Sequence, residues 1–155
     1  NVPMVTIFNP TVERLSREDF LAYFHSLSLS GIIVFGLNKN DTRMNYLLEH
    51  NEWKIVLTDA PGRDENSSCI YVDHCRAQYE TAEKIVSDGM KVLYLAGKED
   101  GYVTDMRLSG MTQLARDKRL DMDVEYCGFS EKKAYECVCA VHRLGFMVFC
   151  LWQTA

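Results

Sequence analysis

Lys54-Ile-Val-Leu-Thr58, then Asp59-Ala-Pro-Gly-Arg-Asp-Glu-Asn-Ser-Ser68, then Cys69-Ile-Tyr-Val72 is the stretch that decides the fold. Two short apolar runs flank a polar, turn-rich segment with no helical periodicity. Two strands therefore follow one another here without a crossover helix. Further apolar runs occupy residues 2–8, 31–35, 91–96, 122–127 and 146–151. Most show little polar alternation, the pattern of strands covered on both faces.

Helical patterns separate the other runs. Ser16, with an acidic residue at Asp19, predicts a capped helix to about Ser28 with Phe20, Phe24 and Leu27 on one face. Asp41 predicts a second helix through His50. Asp73 caps a third, with Tyr79, Ala82, Ile85 and Val86 inward and Gly89 ending it. A fourth is expected from Thr104 to about Lys118 with Met111, Leu114 and Ala115 inward, and Ser130 caps a fifth, which Gly145 follows. Strand–helix alternation with short links predicts an α/β chain with mainly parallel sheets. The break in alternation before residue 73 divides it into lobes 1–72 and 73–155.

Bulk composition excludes several classes. The chain has 155 residues, 47% of them hydrophobic, which suffices for a packed core. No run approaches the roughly 18 apolar residues of a membrane span. No signal peptide is legible at residues 1–10. A net charge of −5 argues against nucleic-acid binding by this segment, because Asp117, Asp121 and Asp123 dilute the basic cluster Arg116, Lys118 and Arg119. The six cysteines lack CxxC spacing and read as free thiols of a reducing cytoplasm. The histidines fall outside any zinc pattern, so neither a metal nor a cofactor is expected. Gly97-Lys-Glu-Asp-Gly101 lacks the Lys-Ser/Thr of a phosphate loop; GxGxxG, GxSxG and a legible nucleophile–base pair are missing. An enzyme is therefore not expected.

In an open parallel sheet, ligands sit beyond the carboxyl ends of strands. That rule selects Phe35, Asp59, the 97–101 loop and Phe129. Asp59 is either a turn former before Ala-Pro-Gly or an acceptor for paired ligand hydroxyls. Arg107, if Thr104 caps its helix, lies in the first turn, against the helix dipole. It reads either as a solvated charge balanced by Asp100 and Asp105 or as a functional guanidinium. Phe129 and Phe35 are either core or stacking surfaces for a sugar or base, and Trp53 and Trp152 are equally ambiguous.

From Gly31 onward the chain resembles the effector domain of the lactose-repressor/galactose-repressor (LacI/GalR) family. The stretches that carry the resemblance are Gly31-Ile-Ile-Val-Phe-Gly36, Ile55-Val-Leu-Thr-Asp59-Ala-Pro61, Val72-Asp-His74, Ala82-Glu-Lys84 through Gly89-Met90, and Val92-Leu-Tyr-Leu-Ala-Gly97. Arg107-Leu-Ser-Gly110-Met111 is similar to the family's Arg-x-x-Gly-aromatic segment, and Gly128-Phe129-Ser130 with Ala134-Tyr135 to its Gly-Asp-Phe-Ser…Gly-Tyr segment. The resemblance implies a periplasmic-binding-protein-like type I fold of two Rossmann-like lobes with the ligand between them. It implies Asp59 as the carboxylate for ligand hydroxyls, Arg107 as the paired donor, Phe129 as the ring against the ligand, and Phe35 at the crevice wall.

It also implies a small-molecule effector, a sugar or derivative, a homodimer, and DNA contact only through a helix-turn-helix headpiece that this segment lacks. His74 and Met90 stand where the family has Asn and His, and Leu151-Trp-Gln153 where it has an Asn-Asp pair. Both lobes are expected to be incomplete at the chain ends, leaving the strand at 146–152 with an edge open to pairing. A free-standing sugar-binding protein of a transport system and a flavodoxin-like or nucleotide-using enzyme are the alternatives.

Overall fold

The computed structural model describes residues 14–50, 52–61 and 65–141 together with the backbone of Met147–Cys150. The expected strand at 2–8, Gly145 and Trp152 lie outside the described residues. The chain forms two compact units, Asn1–Tyr71 and Val72–Ala155.

In the first unit, helix α1 (Arg17–Ser26) opens as predicted. The Asp19 N–H donates to Ser16 Oγ at 3.1 Å while the Ser16 hydroxyl donates to Asp19 Oδ2 at 2.8 Å. Phe20 and Phe24 are buried with ring centroids 4.9 Å apart, and the Trp53 ring lies 6.4 Å from that of Phe24. Trp53 therefore belongs to the packing of this unit. After strand β1 (Gly31–Val34), helix α2 (Thr42–Glu49) is capped by Asp41, which accepts from the N–H groups of Arg43 and Met44. Its Leu47 and Leu48 are buried.

Strands β2 (Lys54–Thr58) and β3 (Ser67–Ile70) complete a parallel sheet in the order β1-β2-β3. A parallel pair ordinarily needs a crossover of a dozen or more residues. Residues 59–66 join β2 to β3 directly, and their described part carries no helix.

Burial on both faces was expected of these strands and is not found. Ile32, Ile55 and Leu57 are buried on one face, whereas Ile33 and Ile70 on the other are 65% and 66% exposed. Val56 and Thr58, on that second face, are half-buried.

In the second unit, helix α3 (His74–Glu83) is capped by Asp73, which accepts from the Arg76 N–H at 2.9 Å. It ends before Gly89, contrary to expectation. Gly89 instead takes φ +72° in the approach to the next strand and donates its N–H to the Lys118 carbonyl at 2.9 Å. Ala82 and Val86 face inward, but Ile85 is exposed, and His74 and Gln78 are buried in its place.

Strand β4 (Lys91–Ala96) lies between β5 (Asp121–Tyr126) and β6 (Met147–Cys150), all parallel. Helix α4 (Tyr102–Asp117) separates β4 from β5, and α5 (Glu131–Val141), with Ser130 Oγ accepting from the Lys133 N–H, separates β5 from β6. Val92, Tyr94 and Ala96 pack on Ala82, Val86, Met111 and Leu114. On the other face, Leu93 and Leu95 pack with Cys127 and with Ala134, Cys137, Val138 and Val141 of α5. Among the described residues, only β4 thus has the double-sided burial of a central parallel strand. β5 alternates, with Met122 and Val124 half-buried and Asp121, Asp123 and Glu125 exposed.

Two positions in α4 fix its relation to its surroundings. A side chain at Gly110 would place Cβ 2.2 Å from the Cys75 carbonyl oxygen of α3, so backbone meets backbone where the helices cross. At its end, Arg119 N–H donates to the Arg116 carbonyl and Leu120 N–H to that of Ala115, with Arg119 at φ +51°. These are the two bonds of a Schellman motif, whose left-handed position favours glycine. Arg119 is exposed and carries the left-handed penalty of about 1–2 kcal/mol. Arg119→Gly is therefore expected to stabilise the protein by about 1 kcal/mol, read as a higher urea midpoint at unchanged slope. A lower midpoint would contradict this assignment.

Candidate ligand-binding site

The residues singled out by the sequence all fall at the carboxyl ends of strands or on the helix that follows one. In the first unit, Asp59 directly follows β2. It is half-buried, takes φ +56°, and donates its N–H to the Ile70 carbonyl at 2.9 Å. Asp tolerates this left-handed conformation better than most residues. The bond continues the β2–β3 ladder past the end of β2, so the carboxylate projects from a backbone tied on one side. Phe35 follows β1 and is 75% exposed, so it is not core.

In the second unit the geometry is more constrained. Parallel pairing continues past β5, with Cys127 N–H donating to the Ala96 carbonyl at 2.9 Å and Gly128 N–H to that of Gly97 at 3.1 Å. The chain then reverses. Gly128 and Phe129 have φ +58° and +62°, and Ser130 N–H closes the turn on the Cys127 carbonyl at 2.9 Å. A phenylalanine in this conformation is a genuine outlier, with a cost on the order of 1–3 kcal/mol. The turn holds Phe129 beyond the sheet with half of its surface exposed.

The start of α4 corrects the expectation for Arg107. The N-cap is Gly101 rather than Thr104, and the helix begins at Tyr102. Arg107 consequently lies in the second turn, where the opposition to the helix dipole has faded. The dipole ground for singling it out therefore does not hold. What distinguishes Arg107 instead is that it is half-buried and, among the described residues, without a hydrogen bond or ion pair.

Thr104 does not act as a cap because its side chain is used inward. It is buried, and its Oγ1 would lie 2.7 Å from a Cβ built on Gly97 and 3.1 Å from one built on Gly101. Arg107 sits one turn along the same face of α4. Gly97 opens the 97–101 loop that the strand-end rule selected, whereas Thr104 was read only as a helix cap. The signal available was a glycine at the end of the most apolar strand.

The structure thus ties Phe129, Gly97 and Thr104 together in the second unit and, in the first, sets Asp59 and Phe35 beyond adjacent strands. A shallow concavity of about 460 Å³ on α4, lined by Asp105, Leu108, Ser109, Thr112, Gln113 and Arg116, includes none of the selected residues. Among the described residues no group of three His, Cys, Asp or Glu side chains is arranged to hold a metal ion, and no helix is long and apolar enough to cross a membrane.

No family model and no curated protein matches the chain. Solved structures do. A sugar-binding transcriptional regulator of the LacI family from Enterococcus faecalis superposes with a TM-score of 0.66 at 19% identity, covering 88% of this chain and 52% of that one. A LacI-family transcriptional regulator from Corynebacterium glutamicum gives 0.64 at 13%, covering 83% and 46%. A periplasmic sugar-binding protein from Pseudomonas fluorescens gives 0.67 at 12%, covering 85% and 45%. These likenesses establish a periplasmic-binding-protein-like α/β fold. The chain spans about half the length of the solved structures it matches. Those structures bear the names of regulators and binding proteins rather than enzymes.

Proposed function

We propose that this chain is the effector-binding part of a LacI-type transcription regulator and takes a sugar or sugar derivative. Asp59 accepts hydrogen bonds from paired ligand hydroxyls. The planar fork of Arg107 donates to ligand oxygens, a task that a single ammonium performs less well. Phe129 stacks on the apolar face of the ligand ring, and Phe35 offers a further exposed aromatic surface to the ligand. The observation that carries this proposal is the Cys127–Ser130 turn, which holds a large ring half in solvent at the carboxyl end of a parallel sheet at a cost in backbone energy.

In this role the chain works in the cytoplasm as a homodimer. DNA is contacted by a headpiece outside this segment. Ligand must bind one arrangement of the lobes better than another, because equal affinity for both shifts nothing.

The test is a thermal-shift screen of monosaccharides, disaccharides, sugar phosphates and nucleosides. A ligand at a hundredfold excess over its Kd adds about 2.7 kcal/mol of stability. Arg107→Ala is expected to abolish that gain while leaving the unliganded melting temperature within a degree or two. A shift fully retained in this variant, or a panel without any stabilising compound, refutes the assignment.

The likeness to the Pseudomonas fluorescens sugar-binding protein, with a TM-score of 0.67, favours a second possibility, a binding protein of a transport system. It shares the same ligand chemistry and differs in what the closed lobes contact. Ligand-dependent retention on operator DNA by the complete protein separates the two.

A further inference from the structure

A Cβ placed on Gly97 would lie 2.6 Å and 2.8 Å from Cζ and Cε1 of Phe129 and 2.7 Å from Thr104 Oγ1. The far edge of the ring therefore rests on the bare Cα of Gly97, in a space that any side chain would fill. The same residue holds the turn that carries the ring, because its carbonyl accepts the Gly128 N–H at 3.1 Å. Thr104, buried and anchored in α4, supplies the second wall of this seat.

We infer that Gly97 and Thr104 are positioning residues. They fix the tilt of the Phe129 ring, so that its open surface forms a rigid platform selecting ligands with a flat, apolar ring face over flexible polyols. This deepens the proposed ligand role of Phe129 and rests on it. Three features support a platform rather than ordinary packing. The ring remains half exposed although one edge is gripped. Its backbone is in the left-handed region, so the chain does not relax around it. The atoms that would collide with a side chain at position 97 are the tip of the ring and a hydroxyl, not backbone. Gly97→Ala can therefore fold by tilting the ring away, which alters the platform without dismantling the unit.

Two measurements on the 155-residue chain test this. The first needs no ligand. The Gly97 Hα signals of the wild type are expected to be displaced from the ordinary glycine range by the ring current of Phe129, downfield for protons at the ring edge, and Phe129→Leu returns them to that range. Identical Gly97 shifts in the two proteins overturn the seat. The second is a double-mutant cycle on the sugar from a panel of D-glucose, D-galactose, D-ribose and maltose that most stabilises the wild type, with D-sorbitol as the acyclic comparison. Gly97→Ala is expected to weaken binding of that sugar at least tenfold and to reduce its preference over sorbitol. In a Phe129→Leu background the same substitution is expected to change affinity less than twofold, because the ring it acts through is gone. Equal losses in both backgrounds mean that Gly97 acts through general packing and overturn the inference. If Phe129→Leu binds sugar as well as the wild type, or no sugar in the panel binds, the ligand role of Phe129 falls and the platform with it. The Gly97 shift still reports independently whether the seat exists.

Discussion

Gly110→Ala is expected to destabilise the second unit by about 2 kcal/mol and Gly110→Val by about 3 kcal/mol or more. The sign is decided by two opposed effects. Removing a glycine from a helix interior gains up to about 1 kcal/mol through propensity. Against this, the new Cβ would stand 2.2 Å from the Cys75 carbonyl oxygen, 3.0 Å from its carbonyl carbon and 3.2 Å from Gln78 Cβ. Ordinary C···O contacts lie near 3.3 Å or beyond, so α3 and α4 must separate by about 1 Å. The obstructing atoms are mainly backbone and cannot rotate aside. Separation also loosens the contacts of Ala82, Met111 and Leu114, all fully buried between the helices and β4. Urea titration followed by circular dichroism measures the loss. Ser109→Ala, at the adjacent exposed position, is the control and should fall within about 0.5 kcal/mol of wild type. A Gly110→Ala protein as stable as the wild type would show that the helices do not cross at this point.

Leu57→Ala is expected to cost about 3 kcal/mol in the first unit, within the 2–5 kcal/mol typical of fully buried leucines. Leu57 has no exposed surface and lies on β2, the middle strand, between Val34 and Cys69 in the ladder. Strands on both sides keep the site from collapsing onto the cavity. Val56, on the opposite, partly open face, provides the contrast. Its truncation to alanine should cost about 1 kcal/mol, because less surface returns to water. Trp53, packed against Phe24 and His25, reports unfolding of this unit by fluorescence in a Trp152→Phe background. Similar losses at the two positions would contradict the one-sided burial of the sheet.

Much of this architecture was legible because it rests on local rules. Ser16, Asp41, Asp73 and Ser130 cap their helices as their side chains predict. The runs at 54–58 and 91–96 form strands at those bounds, since a short apolar run between turn formers has few other options. The described part of the polar segment after Thr58 carries no helix between two parallel strands, in keeping with its composition.

What failed depends on tertiary packing. Thr104 has the chemistry of a cap, yet its hydroxyl is committed to the space beside Gly97, and Gly101 takes the terminal position instead. Gln78 rather than Ile85 is buried because Gly110 brings α4 against the Cys75–Gln78 side of α3, a close approach that periodicity does not reveal. Double-sided burial was inferred from apolar content alone, and content does not say whether a second layer is present over Ile33 and Ile70. At the candidate site, strand ends located Asp59, Phe35 and Phe129, whereas the dipole argument for Arg107 relied on a misplaced helix start.

The crossing at Gly110 also bears on how this unit can transmit force. With carbonyl pressed against Cα, neither helix can creep a fraction of a turn past the other without a collision, so the middle of α4 behaves as if welded to the first turn of α3. Displacements of α3 and α4 are therefore block movements, with deformation confined to the segments that enter and leave the welded pair.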